Sequence, residues 1–220
     1  MIRSPYAILL ALPAGGCAGP LSAIDPAGPH AQTVAQLWWG MLAGAAVLAG
    51  LVFVLLALAF RRREPRAPSD RLWIGWLGLA MPTVVLAMLL VTALVLGARL
   101  LPTPNPRALR IEVEASRYQW RFRYPGGTAA TRDVLHLPAG RPVDLSITAR
   151  DVIHSVWVPR LAGKMDAIPG QTNVLRIVAA KPGRYRGVCA EYCGPGHAGH
   201  DFLVVVHDDA GWARATGAAR

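Results

Sequence analysis

Four residues near the end of the chain can donate to a metal: Cys189, Cys193, His197 and His200, in the run CAEYCGPGHAGH. The cysteines are spaced C-x3-C, and the histidines follow four and then three residues later. Gly194, Pro195, Gly196 and Gly199 fall among them, so the run reads as a loop. Such a loop can turn several side chains towards one point. Three chemistries compete. A Cys189–Cys193 disulfide suits an oxidising compartment but leaves two adjacent histidines without a reason. Zinc takes two cysteines and two histidines in a tetrahedron, and this spacing allows it. Thiolate with imidazole also suits electron-transfer copper, with one histidine contributed from far upstream. His154, in DVIHSVWVP, is the upstream candidate. Residue type and spacing leave all three open. No C-x-x-C-H run occurs, so no covalently attached haem is expected.

A loop of this kind needs rigid elements on either side, and the surrounding sequence reads as strands. In YQWRFRY (118–124) aromatics alternate with Gln119, Arg121 and Arg123, the period of a strand with one apolar face. That pattern alone places Trp120 in a core. IEVEAS (111–116), the strand within LPAGRPVDLSITA (137–149), NVLRIVA (173–179), YRGVCA (185–190) and DFLVVVHD (201–208) read likewise, separated by Pro/Gly turns. A helical pattern appears only in the last ten residues. Residues 108–220 therefore suit one all-β sandwich or barrel, joined through a proline-rich linker at 99–107.

Upstream the composition changes. Residues 35–60 and 72–98 carry no charge, and each exceeds the roughly 20 residues that span a bilayer core. Both are expected to be transmembrane helices, the second bent at Pro82. The loop between them, 61–71, holds five arginines (61, 62, 63, 66 and 71). A short basic loop stays in the cytoplasm, which is a better account of it than nucleic-acid binding. Residues 18–34 and everything after the second helix then lie outside. Residues 1–17 read as a signal or lipoprotein leader ending at Cys17, with Ala14 where such a site usually has Leu. With Cys17 outside the mature fold, no disulfide framework stabilises the exported domain. The whole chain carries a net charge of +10. Residues 107–220 hold 16 Lys+Arg against 10 Asp+Glu, a net of +6 that suits an acidic partner or a solvated face.

In order, these pieces (two spans with a basic hairpin, YQWRF, DVIHSVWVP, GKMDAIPG and CAEYCGPGH) resemble subunit II of a bacterial haem–copper cytochrome c oxidase, from about Cys17 to the last strand. The resemblance implies a two-helix transmembrane hairpin followed by an all-β cupredoxin-like sandwich in the bacterial inner membrane, the domain on the periplasmic side. It implies dinuclear copper, CuA. This centre takes electrons from cytochrome c or a similar periplasmic donor and passes them to haem in subunit I, which reduces O2 to water. The partners implied are subunits I and III, the donor and the bilayer, with no nucleic acid. Cys189 and Cys193 match the bridging thiolates, and His154 and His197 the terminal imidazoles. Glu191 matches a residue whose backbone carbonyl is a weak ligand and whose carboxylate reaches a magnesium. Trp120 matches an exposed tryptophan through which electrons arrive. The rival is a membrane-anchored copper-binding or delivery protein with one copper. A quinol-oxidase branch without copper ligands fits less well, because the ligands are present.

Two positions depart from the family pattern. His200 stands where the family has an axial methionine. Gly75, seven residues before Pro82, stands where many members have an acid at the mouth of a proton path, which leaves Asp70 as the nearest carboxylate.

Overall fold

The computed structural model describes residues 16–61, 69–126 and 130–217. Most of the expected leader and the hairpin's Arg62, Arg63 and Arg66 lie outside the described residues. The chain forms two compact units, residues 36–101 and residues 1–35 with 102–220.

The first unit is helical. Helix α1 (Pro29–Arg61) begins six residues before the uncharged stretch, and only residues 36–61 of it belong here. The second hydrophobic stretch starts as a π-helix over Arg71–Ala80 and continues as α2 (Met81–Ala98). The register change has a cause in Pro82, which has no N–H to give and whose ring crowds the carbonyl four residues back. The Met81 N–H reaches back to the Trp76 carbonyl, five residues away, and so bridges the break. Both helices are long and apolar enough to cross a membrane, at mean hydropathies of 2.7 and 2.5.

The second unit is a sandwich of two five-stranded sheets. One has the order β3-β2-β1-β5-β8, from β1 (Leu109–Ser116), β2 (Gln119–Arg123), β3 (Ala130–Arg132), β5 (Val143–Ala149) and β8 (Asn173–Ile177). The other has the order β4-β10-β9-β6-β7, from β4 (Val134–Pro138), β6 (His154–Trp157), β7 (Met165–Ala167), β9 (Gly183–Cys189) and β10 (Asp201–His207). Pairs β1–β5 and β4–β10 are parallel and the other named pairs antiparallel. Alternation predicts the inward faces: Ile111, Val113, Phe122, Leu145, Ile147 and Val204 are fully or nearly fully buried between the sheets. Gly187 on β9 lies opposite Phe202 on β10, and a Cβ there would stand 2.2 Å from the Phe202 ring, so only glycine lets the ring into the core. Helix α3 (Asp209–Thr216) is capped by Asp208, which accepts from the Gly211 N–H at 2.7 Å. It buries Trp212 edge-on to Tyr124.

The segment before α1 belongs to this unit as well. The Ala27 N–H donates to the Arg160 carbonyl at 2.6 Å, and the Ala180 N–H donates to the Ala27 carbonyl at 3.0 Å. Arg160 also grips Asp25, through its carboxylate at 3.0 Å and its carbonyl at 2.9 Å. The residues before α1 are thus a strap on the sandwich.

Candidate metal centre

The register of the second sheet puts the ligand-bearing segments together. Val156 of β6 pairs with Cys189 of β9, so His154, at the start of β6, lies beside the end of β9. The loop leaves at Cys189 and returns at His200, whose carbonyl accepts from the Cys189 N–H at 2.9 Å. Between them it tightens into a 3-10 turn at His197–Gly199. Gly194 has φ 130°, a conformation that favours glycine, and lets the chain reverse after Cys193. Tyr118 lies against both glycines: a Cβ at Gly194 would stand 2.6 Å from its hydroxyl oxygen, and one at Gly196 2.6 Å from its ring.

Four ligand atoms converge. Those of His154, Cys189, Cys193 and His200 lie within 4.8 Å of one another, and all four residues are buried. The sulfurs are 3.9 Å apart, far beyond the roughly 2.05 Å of a disulfide and within reach of a shared ion at metal–sulfur bonds of about 2.3 Å. His154 Nδ1 lies 3.9 Å from Cys189 Sγ. His197 Nδ1 and His200 Nδ1 each lie 3.7 Å from Cys193 Sγ. His197 falls outside the mutual set of four and is half-buried. The Glu191 carbonyl accepts from Cys189 Sγ at 3.2 Å, while its carboxylate turns to Lys164 at 3.9 Å.

The electrostatics suit a cation. Burial, and then the neighbouring Cys189, push the Cys193 thiol up to about 11, so two thiolates this close need a positive charge between them. Burial and the field of His154 hold His200 below the ordinary histidine range, as the neutral imidazole a metal requires. Its Nε2 is buried without a hydrogen bond. Burial pushes the Asp151 carboxyl up, but hydrogen bonds from His154, Arg117 and Val152 outweigh it and hold the group well below the usual carboxylate range. Asp151 is a residue that sequence reasoning missed. Its place three before His154 was the available signal.

Trp120 corrects an expectation. It is fully buried, so it is not the exposed tryptophan that the family resemblance implied. Alternation along β2 turns it inward, where it stacks on His200 at 4.8 Å between ring centroids and stands edge-on to His154 at 6.1 Å. The exposed aromatics beside the loop are Tyr118, 6.0 Å from His200, and Tyr192, 5.7 Å from His197. His136 and His207 hydrogen-bond to one another at 2.7 Å at the far end of the second sheet.

The family described as "Cytochrome C oxidase subunit II, periplasmic domain" matches residues 113–208, which include all the candidate ligands. The chain is 34% identical over 213 residues to a cytochrome c oxidase subunit 2 from Alkalihalophilus pseudofirmus, covering 87% of this chain and 60% of that one. It is 36% identical over 107 residues to a ubiquinol oxidase subunit 2 from Acetobacter aceti, covering 48% of this chain and 35% of that one. The chain thus spans 60% or less of the length of these relatives. The periplasmic domain of subunit II of cytochrome oxidase from Bradyrhizobium japonicum aligns at 26% identity over 52% of this chain and 97% of that one, with a TM-score of 0.48.

Proposed function

This chain belongs to the cytochrome c oxidase subunit II family, and we propose that it is the electron-accepting subunit of a respiratory terminal oxidase, holding copper as a dinuclear CuA centre. The observation that carries this reading is the convergence of two free, buried cysteines with three histidines at one end of the sandwich. A quinol oxidase relative is also similar to this chain, so similarity alone does not choose copper; the donor set supports it. Thiolate with imidazole is the pairing of electron-transfer copper, and His197 beside Cys193 adds a fifth donor to the four a structural zinc site takes.

Cys189 and Cys193 supply the thiolates, and His154 and His197 one imidazole each. His200 would be a further imidazole donor, and the Glu191 carbonyl would add a weak one. The Glu191 carboxylate, turned away from the sulfurs, is the group offered to a magnesium at the boundary with subunit I. When bound, copper supplies a one-electron couple whose charge the two thiolates spread. The protein fixes the donors, excludes water and aligns rings between surface and sulfur. Tyr118 presents an exposed ring beside His200, and Trp120 backs His200 from the core. Electrons arrive from cytochrome c or a similar periplasmic donor and leave for haem in subunit I, with subunit III completing the complex. The chain sits in the bacterial inner membrane with this domain outside, and does not reduce oxygen alone.

The mutual set of four, with His197 beyond it, favours a second reading: a membrane-anchored protein holding one copper for delivery. Copper content separates the two. In the detergent-solubilised full chain, two coppers per protein and a seven-line EPR hyperfine pattern support the dinuclear centre. One copper with a four-line pattern supports the second reading.

A further inference from the structure

Asp151 touches no sulfur, yet it grips one of the converging imidazoles. It lies in the turn between β5 and β6, and both of its oxygens are occupied. Oδ2 accepts from the Arg117 backbone N–H at 2.9 Å and from Arg117 Nε at 3.1 Å. Oδ1 accepts from the Val152 N–H at 2.8 Å and from His154 Nε2 at 2.9 Å. The carboxylate plane is therefore fixed from two sides before it meets the histidine. An ionised carboxylate can only accept, so His154 must carry its proton on Nε2. That leaves the Nδ1 lone pair free, on the side facing Cys189 Sγ at 3.9 Å. The other tautomer would point an N–H at the sulfurs and set a lone pair against the carboxylate.

Among the described residues, the other two histidines have no such brace. No carboxylate meets the buried His200 Nε2, and His197 contacts Cys193 Sγ through Nδ1.

We propose that Asp151 is the positioning residue of the centre, held by the Arg117 turn, selecting the metal-binding tautomer of His154 and biasing the centre towards its oxidised state. The bias is electrostatic. A fixed negative charge on the remote nitrogen makes the imidazole a stronger donor and favours the more positive metal state. The redox half of this proposal rests on the copper reading above; the tautomer half does not.

The test uses the full chain in detergent, with and without copper. Asp151→Asn keeps the shape and an acceptor oxygen but removes the charge. At a fixed ambient potential the ratio of reduced to oxidised copper should rise about tenfold, equivalent to about 59 mV for one electron. Asp151→Ala also removes the acceptor and should weaken copper binding by about 10- to 100-fold in competition with a chelator. In the metal-free chain with 15N-labelled histidine, His154 should be protonated on Nε2 in the native protein and a tautomer mixture in Asp151→Ala. An unchanged reduced-to-oxidised ratio in a copper-loaded Asp151→Asn protein would overturn the redox half. A native His154 protonated on Nδ1 would overturn the proposal whole. If the native chain takes no copper the oxidase reading fails, and the tautomer measurement still decides the role of Asp151.

Discussion

At Cys193 two imidazole nitrogens, from His197 and His200, stand at the same 3.7 Å from one sulfur. Imidazole is a harder and stronger donor than the thioether expected at position 200, and it favours Cu(II). His200→Met should therefore leave copper bound and make the centre easier to reduce, read as an upward shift in a redox titration of the full chain. A potential that does not move would remove His200 from the donor set. The same substitution gives up the stacking on Trp120, so a loss of about 0.5–1.5 kcal/mol in unfolding free energy should accompany it. The converging cysteines and histidines were legible in the sequence because both residue types are rare and four of the five lie within twelve residues. Trp120 was legible from its alternation with Gln119 and Arg121, and the resemblance, which argued for exposure, was the worse guide. Asp151 offered only its place three residues before His154. An aspartate in a turn looks like any turn residue until the ring it faces is placed.

The elements that carry the site were legible where they alternate. β1, β2, β5 and β10 show period two, but His154–Trp157 is short and its first three residues are all buried, so periodicity could not mark it as a strand. The N-terminal strap was equally invisible, because SAIDPAGPH reads as a linker. Its fit depends on Gly28, where a Cβ would stand 2.4 Å from the Val178 carbonyl and 2.9 Å from that of Leu161. Backbone cannot swing aside as a side chain can. Gly28→Ala should cost about 1–3 kcal/mol, seen as a lower thermal midpoint of the full chain. Gly163→Ala, with nothing within 4 Å of the added Cβ, is the control and should be close to neutral.

The His136–His207 pair ties β4 to β10, with the Tyr124 ring 6.1 Å from that of His136, and Asp208 and Arg214 near His207. Burial and the facing His207 hold His136 below its ordinary 6.5. Burial lowers His207 too, opposed by Asp208 and assisted by Arg214. With folded values below the unfolded one, the unfolded chain binds protons first as pH falls. Stability from the pair is full above about 6.5 and is lost as pH drops towards the folded values. The thermal midpoint should fall between pH 7 and pH 5, and His136→Phe should flatten that slope. An unchanged slope would assign the acid sensitivity elsewhere.

Over the whole molecule, charge is segregated along the chain. The two hydrophobic stretches carry none, five arginines fill the loop between them, and residues 107–220 hold 16 basic against 10 acidic residues. A short basic loop of this kind bears on membrane orientation, not on what meets the sandwich. The domain charge does, because it faces whatever diffuses up to the site. Near the cysteine–histidine cluster the charges are largely paired, Arg117 with Asp151 and Lys164 with Glu191, so steering must come from the wider surface. A net of +6 attracts an acidic redox protein over about a Debye length, which is roughly 10 Å at 0.1 M salt. The second-order rate of reduction by an acidic cytochrome should therefore fall as ionic strength rises from 10 to about 200 mM, while that by a basic cytochrome should stay level or increase. Stopped-flow reduction of the copper-loaded chain reads both rates. The opposite ordering would mean that local pairing around Tyr118 and Tyr192, rather than net charge, decides which donor docks.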